Sequence, residues 1–269
     1  MEKLSVRQIL RGKSPRVEAA IPDFLIRRLE HLLCIDKIDE LLAQGEGLKP
    51  LDFVENVLQR LNISYEGLWE SKLRQSRCVF AANHPFGGVD GMVLGHCIGR
   101  RFGDVRIGVN DVLMSLTPLR SIFLPINKFG RQNQASLQEF EELFRGDVPI
   151  VTFPAGICSR RRCGVVRDEG WHSGFIKRAV MAGRDVVPVY IDGALSNRFY
   201  RLANLRRRLG IKFNVEMLRL PTELFNQQGR HCKMVFGAPI AWEVLALESS
   251  PERQTQIVRE EMERLRFYC

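Results

Sequence analysis

Six short, apolar, β-rich runs that alternate with helical stretches constrain the fold of this chain most strongly. They lie after Arg77, at residues 78–82, 105–109, 122–126, 148–153, 186–191 and 233–236. Continuous apolar runs of this length are typical of strands that helices bury on both faces. The pattern therefore predicts an α/β fold with a mixed, mostly parallel sheet flanked by helices.

The first part of the chain has a different pattern. From about residue 22 to 75, leucines and valines recur at helical spacing, and Gly45 and Gly47 interrupt that pattern before Pro50. We expect an N-terminal helical segment over residues 1–75 and one larger domain over residues 76–269. A chain of 269 residues is long enough for this arrangement.

The chain is basic, with a formal net charge of +9. An excess of this size indicates an anionic partner, which can be nucleic acid, anionic lipid or an acidic protein. The arginines are spread over several predicted strand ends and one helix, and they form no nucleic-acid recognition motif. We therefore expect no nucleic-acid partner.

Three features bear on the compartment and on cofactors. No apolar run approaches the roughly 18 residues that a membrane-spanning helix needs, and the first residues lack the apolar core of a secretory signal. The seven cysteines are scattered and form no C-x-x-C pair, which argues against a disulfide framework and against a zinc site. We expect a cytoplasmic protein with reduced thiols that needs no metal or other cofactor.

The most informative stretch is Asn-His-Pro-Phe-Gly-Gly-Val-Asp-Gly at residues 83–91, which follows a predicted strand and precedes a helical run. Functional sites of α/β folds lie at such strand ends. An imidazole can take a proton near neutral pH, and a nearby carboxylate fixes its tautomer and stabilises the imidazolium. The two glycines permit a turn that returns Asp90 toward His84. We predict that these two residues form a general-base pair.

Two further stretches offer groups that suit an anion. Residues 153–162, Phe-Pro-Ala-Gly-Ile-Cys-Ser-Arg-Arg-Arg, combine a turn, a hydroxyl and three guanidiniums after another predicted strand. This chemistry suits a phosphate or a carboxylate, although a solvated turn is the alternative interpretation. Lys128 and Arg131 follow the strand at 122–126 and form a second cationic point.

The chain resembles the glycerolipid and lysophospholipid acyltransferases over roughly residues 75–240, because an Asn-His…Asp block, a Phe-Pro-x-Gly block and a Val-Pro-Val block occur in that order. The resemblance implies an acyltransferase domain over 76–269 in which His84 and Asp90 are the catalytic dyad. It also implies a thioester donor, carried by acyl carrier protein or coenzyme A, and a lipid acceptor. The expected substrate-binding residues are Asn83, Gly87, Gly88, Lys128, Arg131, Phe153, Pro154, Gly156, Ser159, Arg160 and Arg161.

Two departures from the common family pattern bear on the acceptor. Five residues separate His84 from Asp90 where the common pattern has four, and a bulge at the two glycines would absorb the extra residue. Ala155 stands where the common block has glutamate, which puts glycerol phosphate in doubt as acceptor. The longer block is similar to a hemolysin-like branch that includes O-acyltransferases of bacterial glycine and ornithine lipids. We expect a mono-acylated amino acid lipid as acceptor, with lysophosphatidic acid as the alternative.

The segment 197–212 is basic and amphipathic, and it has two interpretations of equal weight. It lies on anionic lipid, or it is an ordinary helix that packs by its apolar side. Because the substrate must be drawn from a bilayer, we expect a peripheral enzyme on the inner face of the membrane. The basic charge also suits an acidic acyl carrier protein as a partner.

Two other functions and one other mechanism are open on the sequence alone. A metal-dependent hydrolase would use His84 and Asp90 as ligands, but the other four histidines show no ligand spacing with them. A non-catalytic lipid-binding relative would explain the irregular spacing of the pair. Cys158 would permit a covalent route, although nothing marks it as a thiolate.

Overall fold

The computed structural model describes residues 7, 21–71, 73, 75–126 and 141–269. Its helices are α1 (Asp23–Leu32), α2 (Ile35–Gln44), α3 (Pro50–Arg60), α4 (Gly88–Phe102), α5 (Gly174–Met181), α6 (Asn197–Arg208), α7 (Leu220–Asn226), α8 (Trp242–Ala246) and α9 (Pro251–Arg264). Its strands are β1 (Ser64–Trp69), β2 (Cys78–Ala82), β3 (Arg106–Val109), β4 (Phe123–Pro125), β5 (Ile150–Thr152), β6 (Arg160–Arg162), β7 (Val165–Arg167), β8 (Asp185–Ile191) and β9 (His231–Phe236).

Seven of these strands form one sheet in the order β1-β9-β8-β2-β5-β3-β4. Neighbouring strands run parallel except for β8 and β9, which are antiparallel. The predicted α/β fold with a mixed, mostly parallel sheet is therefore confirmed. Because β2 lies in the middle of the sheet, the loop that leaves its carboxyl end is held between β5 and β8.

Both faces of the sheet are covered, and β2 shows this residue by residue. Cys78, Phe80 and Ala82 belong to a core that α3 and α4 cover, whereas Val79 and Ala81 belong to a second core under α5 and α9. All five residues of β2 are buried. Burial of each large apolar side chain contributes about 1.5–3 kcal/mol, so β2 gives the site a rigid support.

Two parts of the fold differ from the sequence-based expectation. β1 lies within the segment that was predicted to be helical, and it pairs with β9 at the edge of the sheet. Its residues are half-exposed and lack a continuous apolar run, so the periodicity gives no strand signal. The second difference is the hairpin of β6 and β7, which was not predicted. It turns at Cys163 and Gly164, both of which have a positive φ.

The helices α1–α3 precede the sheet, as expected. The apolar side of α3 shares the main core with α4 and β2. The division of the chain at residue 75 stays a prediction. Within the described ranges, no helix is long and apolar enough to cross a membrane.

Candidate active site

His84 lies in the loop that leaves β2, and Asp90 lies in the first turn of α4. The Nδ1 atom of His84 is 2.9 Å from Oδ2 of Asp90. Gly87 is the N-cap of α4 and has a φ of 77°, a conformation that glycine adopts at little cost. A Cβ at this position would lie 3.1 Å from Sγ of Cys158. The turn at Gly87 thus accommodates the five residues between His84 and Asp90 and brings the two side chains together.

The carboxylate of Asp90 is fully buried. Its Oδ2 accepts hydrogen bonds from the backbone NH groups of Phe86, at 2.8 Å, and Gly87, at 2.9 Å. Oδ1 receives no hydrogen bond from the described residues. Burial raises the pKa of Asp90, and the interactions with His84, Phe86 and Gly87 oppose that shift. The carboxylate is therefore fixed in place by the loop that carries the histidine.

The imidazole of His84 is oriented from two sides. Its Nδ1 points to Asp90, and its ring stacks on Phe153 with the ring centroids 4.3 Å apart. The side chain is 19% exposed, so the site reaches solvent at the ring. Because Nδ1 is engaged, Nε2 is the ring nitrogen that can exchange a proton with a substrate.

A second buried carboxylate, Asp168, holds the backbone of the histidine. Its Oδ1 accepts from the NH of His84, at 3.2 Å, and from the hydroxyl of Ser159, at 2.6 Å. Its Oδ2 accepts from Nε1 of Trp171 at 2.8 Å. The NH of Ser159 in turn donates to the carbonyl of His84 at 2.7 Å. No sequence motif marks Asp168, because it directly follows β7 and its contacts with the loop of His84 are tertiary.

We expect Asp168→Asn to lower the free energy of unfolding by about 1–3 kcal/mol, because an amide cannot accept all three hydrogen bonds of the buried carboxylate. We also expect kcat to fall more than KM changes, since the substitution moves the histidine. Urea unfolding and steady-state kinetics measure both effects. Asp36→Asn, on the exposed side of α2, is the matched control. An unchanged kcat for Asp168→Asn would show that the loop does not depend on this carboxylate.

Asn83, an expected substrate-binding residue, is occupied within the fold. Its Nδ2 donates to the carbonyl of Ile191 at 2.9 Å, and the NH of Ile191 donates to its Oδ1 at 2.7 Å. The side chain thereby continues the pairing of β2 with β8 beyond the end of β2. These two hydrogen bonds fix the start of the loop that carries His84, and the role of Asn83 in substrate binding stays a prediction.

The arginine-rich block also differs from expectation. Arg160 is buried, and its guanidinium lies 2.8 Å from Oε1 of Glu216. Glu216 is itself fully buried and also pairs with Arg206, at 2.9 Å. Arg160 therefore belongs to the core and is not free for an anion. Moving it out to bind one would leave the charge of Glu216 buried and uncompensated. Arg161 bonds to Asn197 and lies over the ring of Tyr200.

The remaining expected residues lie as follows. The hydroxyl of Ser159 is engaged by Asp168, and Pro154 is buried. Gly156 has a φ of 63° in a turn closed by its NH on the carbonyl of Phe153. A Cβ on Gly88 would meet no described atom within 4 Å, which leaves room beside the dyad. Lys128 and Arg131 lie outside the described residues.

Cys158 is fully buried beside the dyad. Burial and the carboxylate of Asp90 raise the pKa of its thiol above the usual value. We therefore expect Cys158→Ala to retain kcat within about threefold, since a protonated buried thiol is not a nucleophile. Mass spectrometry of the intact protein after incubation with the donor should show no acyl adduct. An adduct that Cys158→Ala abolishes would establish the covalent route instead.

The chain is similar to known proteins over nearly its whole length. The acyltransferase family model matches residues 8–267. The chain is 37% identical over 260 residues to a lyso-glycine lipid O-acyltransferase of Bacteroides thetaiotaomicron, covering 96% of this chain and 95% of the relative. It is 35% identical over 260 residues to a lyso-glycine lipid O-acyltransferase of Phocaeicola vulgatus, covering 96% of this chain and 93% of the relative.

The crystal structure of the 1-acyl-sn-glycerophosphate (LPA) acyltransferase PlsC from Thermotoga maritima aligns with a TM-score of 0.45 and 15% identity, over 89% of this chain and 95% of that chain. The family match and the two bacterial relatives place the chain in a class of transferases. It belongs to the acyltransferase family and is an acyltransferase.

Proposed function

We propose that this enzyme moves a fatty acyl chain from a thioester to the hydroxyl of a mono-acylated amino acid lipid, with His84 as general base. The observation that carries the proposal is the 2.9 Å contact between His84 Nδ1 and the buried carboxylate of Asp90 at the end of β2. A histidine oriented in this way activates a hydroxyl without a metal or another cofactor.

The choice of acceptor rests on two observations. Both curated relatives with more than a third of their residues identical are lyso-glycine lipid O-acyltransferases, and the match covers 96% of this chain. Ala155 is buried and places no carboxylate in the Phe-Pro-x-Gly turn. We infer that the acceptor is an N-acylated glycine whose acyl chain bears a hydroxyl group.

The reaction would proceed in two proton transfers. Nε2 of neutral His84 takes the proton of the acceptor hydroxyl while the oxygen attacks the thioester carbonyl carbon. Asp90 stabilises the imidazolium that forms. The tetrahedral intermediate collapses with cleavage of the carbon–sulfur bond, and the imidazolium returns its proton to the leaving thiolate. No acyl-enzyme is formed, and the ester and free thiol are the products.

The oxyanion of the intermediate needs hydrogen-bond donors. The two glycine-containing turns beside His84 carry backbone NH groups, but those of Phe86 and Gly87 donate to Asp90. The NH of Gly156 bonds to the carbonyl of Phe153. These three NH groups are therefore already bonded within the chain.

For the donor we propose an acyl carrier protein, because the net charge of +9 complements an acidic carrier. We place the enzyme on the inner face of the cytoplasmic membrane, where both a carrier-bound acyl chain and a lyso-lipid are accessible.

The test is a steady-state comparison of acceptors with purified enzyme and acyl carrier protein as donor. The acceptors are N-(3-hydroxyacyl)glycine, its analogue without the hydroxyl, and lysophosphatidic acid. We expect kcat/KM to be highest for the first and product to be absent with the second, since the hydroxyl is the nucleophile. A preference for lysophosphatidic acid would overturn the choice of acceptor while leaving the dyad in place.

A further inference from the structure

Helix α6 and the loop after it present an exposed surface that the acyl-transfer chemistry does not use. The outward face of α6 carries exposed side chains at spacings of three and four residues, namely Arg198, Arg201, Leu205 and Arg208. The loop that follows, Leu-Gly-Ile-Lys-Phe at residues 209–213, is exposed throughout. The exposed fractions are 52% for Leu205, 64% for Leu209 and 66% for Phe213. We call the following set the α6 surface: Leu205, Leu209, Ile211, Phe213, Arg198, Arg201, Arg207, Arg208 and Lys212.

The loop of the α6 surface is held in a defined conformation. The NH of Ile211 donates to the carbonyl of Arg206 at 3.1 Å, and the guanidinium of Arg206 donates back to the carbonyl of Ile211 at 2.9 Å. The same guanidinium lies 2.9 Å from the buried carboxylate of Glu216. These bonds therefore hold the loop in a conformation that exposes its apolar side chains. An exposed apolar patch of this kind marks an interaction site.

The amino-acid composition of the α6 surface indicates what kind of partner it binds. Residues 197–213 contain six arginines and lysines and no aspartate or glutamate. Large apolar side chains interleaved with cations fit the bilayer interface, where the apolar groups enter the acyl region and the cations pair with lipid phosphates. We propose that the α6 surface docks on a bilayer that contains anionic lipid. The proposal deepens the proposed function, because a lyso-lipid acceptor lies in such a bilayer.

The docked surface is connected to the catalytic loop through the core. Glu216 joins Arg206, at the end of α6, to Arg160. Arg160 directly follows Ser159, whose NH holds the carbonyl of His84. The buried ion pairs thus fix the position of the lipid surface relative to the dyad.

The test is flotation of the purified full chain with vesicles of phosphatidylcholine alone or mixed with phosphatidylglycerol, without donor or acceptor. The apolar variant is Leu205→Ser/Leu209→Ser/Phe213→Ser, and the charge variant is Arg201→Gln/Arg208→Gln/Lys212→Gln. The matched controls carry three like substitutions on other exposed surfaces: Met181→Ser/Val244→Ser/Leu247→Ser, and Arg28→Gln/Arg120→Gln/Lys177→Gln. Thermal unfolding checks that all variants fold.

We expect wild type and both controls to float with the anionic vesicles. The charge variant should bind them at least about ten-fold more weakly, since each cation near an anionic surface contributes about five-fold in affinity. The apolar variant should also bind at least about ten-fold more weakly, because its three side chains no longer enter the acyl region. Binding by the variants equal to that of wild type would overturn the proposal. Wild type that binds these vesicles but forms no product in the acceptor comparison would overturn the proposed function and leave the docking proposal in place.

A second measurement separates the bilayer from the carrier protein. With acceptor dispersed in detergent micelles, both α6 variants should transfer acyl chains like wild type, because no bilayer has to be engaged. A charge variant that binds vesicles normally but has a raised KM for acyl carrier protein in micelles would show that this surface docks the carrier.

Discussion

His84→Ala is expected to lower kcat for acyl transfer by about 10²- to 10⁴-fold, the range that a positioned general base contributes. The physical reason is that the acceptor hydroxyl loses the group that takes its proton, while the donor and acceptor surfaces stay in place. KM values should therefore change little. Steady-state assay with acyl carrier protein as donor measures both parameters.

Two controls make this result specific. His84→Asn can still donate an amide NH to Asp90 but cannot accept a proton from the acceptor, so it should be as inactive as His84→Ala with a smaller effect on folding. His31→Ala changes an exposed histidine on α1 and should leave kcat unchanged. Activity of His84→Asn close to that of wild type would contradict a proton-transfer role for the imidazole.

The second large effect is expected at Asp90, where two substitutions distinguish a loss of stability from a loss of activity. Asp90→Ala leaves the NH groups of Phe86 and Gly87 and the imidazole without their acceptor in a buried pocket. We expect the free energy of unfolding to fall by about 2–4 kcal/mol, since buried unpaired donors each carry a desolvation penalty. Urea unfolding measures the loss.

Asp90→Asn keeps one acceptor oxygen and removes the charge that burial disfavours, so it should be less destabilising than Asp90→Ala. It should nevertheless lower kcat by about 10³- to 10⁴-fold, because a neutral amide neither fixes the tautomer of His84 nor stabilises the imidazolium. Equal activity of Asp90→Asn and wild type would show that the carboxylate only supports the fold.

The sequence predicted the central strand and the proximity of His84 to Asp90 because both depend on short stretches of the chain. Residues 78–82 form a continuous apolar run, and β2 has those bounds. His84 and Asp90 are six positions apart, and the glycines between them provide the turn that the pair needs. Because the turn that joins the two residues lies within the motif itself, their proximity could be inferred from the sequence of one chain.

The rest of the site depends on contacts between distant parts of the chain. Arg160 was expected to bind the acceptor, but it pairs with Glu216, which is 56 residues away. Three adjacent arginines look alike in a sequence, and only the packed structure distinguishes the one that enters the core. Asp168 is 84 residues from His84, and its role likewise follows from tertiary packing alone. β1 was missed because an edge strand that is half-exposed has no continuous apolar run.

The most direct test of the central claim is mass spectrometry of the lipid formed when purified enzyme is incubated with isotope-labelled acyl carrier protein thioester and N-(3-hydroxyacyl)glycine, with His84→Ala alongside. We predict a diacylated product that carries the labelled chain in an alkali-labile ester, formed by wild type and absent with the variant. Product formed equally by both proteins, or no labelled ester with wild type, would contradict acyl transfer by the His84–Asp90 pair to this acceptor.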